Sequence, residues 1–239
     1  MKNVVAFSGG KDSTAMLLMM IERNMHIDEI LFSDTGLEFP QMYDHIDMVQ
    51  EYIGREITIL KPKYSFEYLA FHKIKTKPKV GAPGYGWPSV HFRWCTWKLK
   101  QDPKNEYLKE HGRERTEYIG IAKDEEDRAF VDYNGNEGIK KYPLIEWGVT
   151  EKQALAYCYD RGFNWGGLYE IFNRVSCWLC PLQPMSALRR LYTHFPDLWE
   201  QLKEMDKLSY RQFKPNYSVE DLEQIFVAES KQDCFAFMK

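Results

Sequence analysis

Apolar and polar positions along the chain fall into two kinds of run. Lys2–Phe7 is short, apolar towards its end and stopped by Ser8-Gly9-Gly10, the pattern of a buried strand. Residues 13–24 form a longer run rich in Met and Leu, the pattern of a mostly buried helix ending near Asn24. The couplet then repeats. Glu29–Ser33 predicts a second strand halted at Asp34-Thr35-Gly36, a helix follows from about Phe39 to Ile53, and residues 56–60 are a third β-prone run. Residues 117–121 predict a strand running into 122–128, residues 132–138 a turn insertion, and Thr150 the N-cap of a helix from Glu151 to about Asp160. From Pro184 the pattern is helical and more acidic, with a helix starting at Phe195-Pro196-Asp197 and running through Lys207.

Strands alternating with helices predict an α/β protein with a parallel sheet and right-handed crossovers. Ligands of such sheets bind outside the carboxyl ends of the strands, so residues 8–13 and 34–38 are expected to face one crevice. The organisation expected is an α/β domain over residues 1–183 and a helical C-terminal extension over 184–239. Residues 74–92, broken by Pro78, Gly81, Pro83, Gly84, Gly86 and Pro88, predict a long irregular loop of the kind often used as a functional lid.

The 239 residues are 44% hydrophobic and 15% aromatic, enough for a real core. No apolar stretch approaches the roughly 20 residues of a membrane helix, and the N-terminus runs straight into a strand, so a soluble cytoplasmic protein is expected. The net charge of −3 argues against general nucleic-acid affinity. Its distribution is uneven, however. Residues 68–101 hold Lys73, Lys75, Lys77, Lys79, Arg93, Lys98 and Lys100, no Asp or Glu, and the aromatics Phe71, Tyr85, Trp87, Phe92, Trp94 and Trp97. Basic charge suits phosphates and aromatic faces suit unpaired bases, so a nucleic-acid acceptor is one reading. A solvated loop balancing acidic segments is the other.

The chemistry concentrates in Ser8-Gly9-Gly10-Lys11-Asp12-Ser13-Thr14. A strand, a tight turn and a helix N-terminus bring unpaired N–H groups, the positive end of the helix dipole, three hydroxyls and one ammonium to one point. That is a phosphate cradle; the plainer alternative is a βα turn capped by Asp12 or Ser13. The spacing is neither a Walker A loop nor a Rossmann glycine motif. A second constellation is Cys177-Trp178-Leu179-Cys180, whose spacing lets two thiolates share a metal or form a redox pair, with Cys95 upstream. Buried thiols without metal remain the alternative.

The SGGxDS loop resembles the PP-loop of the adenine nucleotide α-hydrolases, and further segments narrow the resemblance to the phosphoadenylyl-sulfate reductase-like family. Asp34-Thr35-Gly36-Leu37-Glu38-Phe39-Pro40 resembles its second-strand motif. Tyr118-Ile119-Gly120-Ile121 with Glu125, Glu126 and Arg128 resembles its Gly…Glu…Arg stretch, with Ala122 in place of the first arginine. Tyr142-Pro143-Leu144-Ile145-Glu146-Trp147 resembles the element leading to its cysteine pair.

The resemblance implies a Rossmann-like, HUP-type parallel sheet. It implies an adenine nucleotide held by Ser8, Gly9, Gly10, Lys11, Asp12, Ser13, Thr14, Asp34, Thr35, Gly36 and Gly120, with catalysis by Lys11, Asp12 and Arg128. It also implies metal ligands at Cys95, Cys177 and Cys180, three of the four cysteines of the iron–sulfur pattern of the assimilatory adenylyl-sulfate reductases, since Trp94 stands in the place of the first member of the upstream pair. A [4Fe–4S] cluster with one open iron is one occupant; zinc closed by His91, His194 or Cys158 is another. The intact Lys11 resembles members that split ATP, with Mg2+, into AMP and pyrophosphate to adenylate a tRNA or DNA acceptor for sulfur delivered by a donor protein. The alternative is a thioredoxin-linked reductase of a sulfonucleotide with Cys234 as nucleophile, because Lys231-Gln232-Asp233-Cys234 resembles the start of the reductases' C-terminal motif. A nucleotide-binding module without turnover is a third reading.

Overall fold

A computed structural model describes residues 1–73, 83–112, 114–130 and 138–236, with the side chains of Phe130 and of residues 231–236 outside that description. The elements are β1 (Lys2–Phe7), α1 (Lys11–Glu22), β2 (Glu29–Ser33), α2 (Pro40–Ile53), β3 (Thr58–Leu60), α3 (Asp102–His111), β4 (Arg115–Ile119), β5 (Ile139–Lys141), α4 (Pro143–Glu146), α5 (Glu151–Tyr159), α6 (Leu168–Ile171), α7 (Met185–His194), α8 (Pro196–Lys207) and α9 (Val219–Ala236). The strands form one sheet in the order β3-β2-β1-β4-β5. Every pairing is parallel, as the alternating pattern predicted. The turn insertion expected at 132–138 lies outside the described residues except for Gly138.

The chain divides into two compact units, Met1–Lys63 with Lys98–Ser176, and Tyr64–Trp97 with Cys177–Lys239. The division differs from a boundary at 183/184, and aromatic packing is the reason. Within the second unit Phe66 stacks on Trp94 at 5.1 Å, Phe71 meets Trp87 edge-on at 5.3 Å, and Trp87 meets Phe213 at 5.0 Å. The Trp87 indole N–H donates to Asp206 at 2.7 Å, and Asp206 also accepts from Val219 N at 2.8 Å. Of the loop expected at 74–92, residues 74–82 lie outside the described residues; residues 83–92 are irregular, as expected, yet Trp87 within them and Trp94 just after them are buried in a core. Among the basic-aromatic set, Phe71, Trp87 and Trp94 are therefore buried, while Phe92 and Trp97 remain exposed.

In the first unit α1 is the central buried helix, covered from Ser13 to Met20. It starts two residues earlier than expected and ends at Glu22, where Asn24 takes a left-handed φ of 53° and stops it. β4 also begins two residues early, because its first residues, Arg115, Thr116 and Glu117, are polar and buried. Lys104 Nζ reaches Glu117 at 2.6 Å and Arg115 Nε lies 3.9 Å away, which lets charged residues occupy a central strand. Thr150 caps α5 as predicted, in a reciprocal capping box with Gln153. Among the described residues no helix is long and apolar enough to cross a membrane.

Candidate functional site

The carboxyl end of β1 turns sharply into α1, and the turn is held from several sides within the first unit. Gly9 adopts a φ of 74°, open to glycine. Gly10 is the N-cap of α1 and makes no side-chain cap bond, so neither Asp12 nor Ser13 caps the helix. The Ser13 hydroxyl instead accepts from Ser8 N at 3.2 Å and donates to Gly10 O at 3.0 Å, bracing the loop. Ser8 Oγ lies 3.0 Å from Ser13 Oγ. Gly120, at the end of β4, comes so close that an added Cβ would lie 2.7 Å from both Cα and N of Ser13.

Lys11 is buried, and its ammonium forms ion pairs with Glu151 and, at 3.2 Å, with Asp12. Asp12, Glu125 and Glu151 bring carboxylate oxygens within 4.8 Å of one another. Burial pushes the Asp12 carboxyl above the usual carboxylate range, against the downward pull of Lys11. Its Oδ1 is buried without a hydrogen-bond partner. An orphaned anionic oxygen beside two further carboxylates fits a divalent cation. Arg128 is exposed and paired with Glu125, so it joins this cluster at its edge. Glu151 has no local signature in the sequence beyond following the Thr150 cap; α5 carries its carboxylate to Lys11.

Asp34 and Thr35 close the turn after β2. Asp34 accepts from Gly36 N at 2.9 Å and from the Tyr43 hydroxyl at 2.8 Å. Thr35 Oγ1 donates to Glu38 at 2.8 Å, and Gly36 is exposed with a φ of 73°. Asp34 is thus a turn residue rather than part of the acidic cluster. A cavity of about 150 Å³ opens beside Ser8, lined by Ala6, Leu31, Phe32, Ser33, Glu38 and Gln101 among others.

Three aromatic residues with no motif around them complete the support. His45, in α2, is buried with Nε2 3.0 Å from Thr14 Oγ1 and its ring stacked on Trp165 at 4.3 Å. Trp165 donates from Nε1 to Gly9 O at 2.7 Å, and Lys11 N donates to the Tyr169 hydroxyl at 2.8 Å. Cys158, a candidate fourth metal ligand, lies under the loop with Sγ 3.6 Å from Lys11 O. Burial pushes its thiol up to about 12, which suits packing rather than ligation.

Burial pushes His45 down to about 3. The unfolded chain takes up a proton near pH 6.5 while the folded protein does not, so stability is lost as pH falls from about 6.5 towards about 3. At pH 5 this loss amounts to about 2 kcal/mol. His45→Gln is expected to remove that part of the acid slope, read from denaturant unfolding at pH 7 and pH 5.

In the second unit Cys95, Cys177 and Cys180 are partly exposed thiols. A backbone bond from Cys180 N to Cys177 O at 3.2 Å closes the Cys177–Cys180 turn, and Gln183 Nε2 donates to Cys177 O at 2.9 Å. Lys214 donates to Pro181 O at 2.8 Å and Gln183 O at 2.7 Å, placing a cation against the same loop. Among the described residues the Sγ atoms of Cys95, Cys177 and Cys180 do not form a set within 4.8 Å of one another, as the oxygens of Asp12, Glu125 and Glu151 do, so the structure braces the Cys177–Cys180 turn without assembling a closed three-thiolate site. His91 and His194, the other candidate ligands, are exposed. Cys234 falls in α9, with its side chain outside the described residues.

A family model for the phosphoadenosine phosphosulfate reductase domain matches residues 2–183. The chain belongs to that family. Two uncharacterised proteins of Methanocaldococcus jannaschii are 29% identical over 212 residues, covering 82% of this chain and 40% of that protein, and 30% identical over 202 residues, covering 81% and 45%. The chain thus spans less than half the length of these two relatives. The crystal structure of phosphoadenylyl-sulfate reductase from Candida auris in its phosphate complex superposes with a TM-score of 0.53 at 23% identity, over 74% of this chain and 82% of that one. That likeness establishes the Rossmann-like fold.

Proposed function

We propose that the chain binds ATP at the Ser8–Thr14 loop and splits it into AMP and pyrophosphate, adenylating an acceptor that then takes up sulfur. One observation carries this reading over a bound sulfonucleotide: the buried Lys11 ammonium among Asp12, Glu125 and Glu151, with an unpartnered Asp12 oxygen. Such a set of carboxylates suits the divalent cation that accompanies a triphosphate. Family membership supports an adenine nucleotide at this end of the sheet.

The uncapped first turn of α1 faces the phosphates with its amides, and Ser8 adds a hydroxyl. Lys11 exchanges Glu151 for a phosphate oxygen and stabilises the charge that develops as an acceptor oxygen attacks the α-phosphorus and pyrophosphate leaves. Asp12, Glu125 and Glu151 would hold Mg2+, which supplies further charge neutralisation. Arg128, through Glu125, orients that cluster. The cavity beside Ser8 takes the adenosine. Cys95, Cys177 and Cys180 would hold the [4Fe–4S] cluster, a site for handling sulfur, with zinc as the other occupant. The acceptor we favour is nucleic acid, met by the exposed Phe92, Arg93 and Trp97, and sulfur comes from a donor protein.

Protein purified anaerobically is expected to absorb broadly in the visible and, with Mg2+ and a sulfide source, to form AMP and pyrophosphate from ATP in the presence of RNA or single-stranded DNA. Sulfite from adenylyl sulfate and thioredoxin, with no AMP from ATP, would show the reductase reading to be right and ours wrong. Tight ATP binding without turnover would leave a binding module.

A further inference from the structure

The Tyr169 hydroxyl lies against the first turn of α1, 2.8 Å from the Lys11 amide. The chain reverses just before Tyr169: Trp165, Gly166 and Gly167 take φ values of 51°, 57° and 84° in succession. A tryptophan at positive φ is strained, and such strain persists only where surrounding structure enforces it. Here the reversal turns two side chains onto the same loop. Trp165 reaches Gly9 O, and four residues on Tyr169 reaches Lys11 N. The two rings meet edge-on at 4.8 Å, and the Lys11 ammonium lies 5.8 Å above the Tyr169 ring.

The hydroxyl accepts from the Lys11 amide, and among the described residues its own proton is donated to no group. Burial raises the phenol well above its ordinary range, so the oxygen keeps that proton at every physiological pH. The position of the oxygen is equally specific. A Cβ built on Gly10 would lie 3.4 Å from Tyr169 Oη and 3.7 Å from Ser8 Oγ. The space that glycine leaves vacant is therefore flanked by two hydroxyls at the positive end of α1.

We infer that Tyr169 is a direct donor to the pyrophosphate portion of the nucleotide, extending the first turn of α1 by one hydrogen bond. The Lys11 amide polarises the phenol by donating to it, and the phenol passes a stronger O–H on to the anion. This rests on the nucleotide reading of the loop proposed above. Tyr169 has no counterpart among the loop's own seven residues; the fold brings it there from far along the chain.

The test compares wild type with Tyr169→Phe, which keeps the ring and removes the donor. Binding of ATP, inorganic pyrophosphate and adenosine is measured by calorimetry, with thermal melting of the ligand-free proteins alongside. A charge-assisted hydrogen bond lost from a phosphate corresponds to about a tenfold weakening for ATP and pyrophosphate. Adenosine affinity is expected to stay unchanged, while the ligand-free protein still melts cooperatively at a temperature lowered by a few degrees, because the Lys11 amide loses its acceptor. Equal or tighter pyrophosphate binding by Y169F would overturn the inference, since the phenol would then be a plug over the Lys11 amide. Loss of cooperative melting would also overturn it, by showing the hydroxyl to be structural. Wild type that binds neither ATP nor pyrophosphate would overturn the nucleotide reading and this inference with it.

Discussion

Lys11→Met protein is expected to release pyrophosphate from ATP at least about a hundredfold more slowly than wild type, the size of effect that removing one preorganised charge donor produces. The same substitution uncovers a second property. Without the ammonium, Asp12, Glu125 and Glu151 face one another within 4.8 Å with no cation at their centre. Asp12 already titrates above the usual carboxylate range because burial outweighs Lys11, and removing Lys11 raises it further. A carboxyl whose folded value is raised binds more protons folded than unfolded over the window between the two values. Stability then falls as pH rises through that window, and the full penalty is present above it. K11M is therefore expected to be less stable than wild type at neutral pH and to recover relative to wild type on acidification. Millimolar Mg2+ is expected to raise its melting temperature more than it raises that of wild type, because the ion replaces the missing charge. Unchanged melting across pH and Mg2+ would show that the three carboxylates do not form a cation site.

The part of the site that sequence reveals is the part built from consecutive residues. Glycines at a strand end, followed by lysine and hydroxyls at a helix start, have one economical geometry, and the structure adopts it from Ser8 to Thr14. Helices α2, α5 and α8 were likewise readable, through periodicity and, for α5, the Thr150 cap. What sequence does not show are contacts between distant residues. His45, Trp165 and Tyr169 look like ordinary core aromatics until α2 and the 165–169 reversal bring them under the loop. Glu151 looks like the acidic first residue of a capped helix, a position favoured by the helix dipole whatever its partner. The strand β4 was readable, but its first two residues escaped the apolar pattern because Arg115 is buried beside Glu117, with Lys104 pairing to Glu117 from α3. The segment 83–94 shows the same failure in reverse. Its glycines and prolines signal a loop, while Trp87 and Trp94 make that loop the core of the second unit.

These failures share a cause that bears on function. Local signals report backbone conformation, whereas a binding loop also needs its backbone carbonyls and amides held from outside the loop. Gly9 O is taken by Trp165, Lys11 O lies near Cys158 and Lys11 N is taken by Tyr169. The remaining first-turn amides of α1 make no side-chain cap bond, which leaves them available to an anion. The loop is thus rigid where it is braced and open where it binds, a division of labour that lowers the ordering cost of ligand binding.

Gly120→Ala puts this rigidity to its sharpest test. The added Cβ would lie 2.7 Å from Cα and N of Ser13 and 3.0 Å from the carbonyl carbon of Asp12, all of them backbone atoms. No rotamer change relieves such a clash; either β4 or the first turn of α1 must move. β4 is fixed by its parallel register with β1, in which Val5 pairs with Tyr118 and Ala6 with Ile119. The shift therefore falls on α1, whose first turn carries the phosphate-facing amides and Lys11. Destabilisation of about 3 kcal/mol is expected, at the upper end of overpacking costs. Gly54→Ala is the proper comparator. It lies at a φ of 59° with nothing within 4 Å of an added Cβ, so it incurs backbone strain of about 1 kcal/mol and no clash. Denaturant unfolding separates the two. Pyrophosphate binding separates them further, because a displaced first turn loses the anion while a strained α2 terminus does not. G120A that binds pyrophosphate as well as G54A does would mean that the amides of α1 do not hold the phosphates.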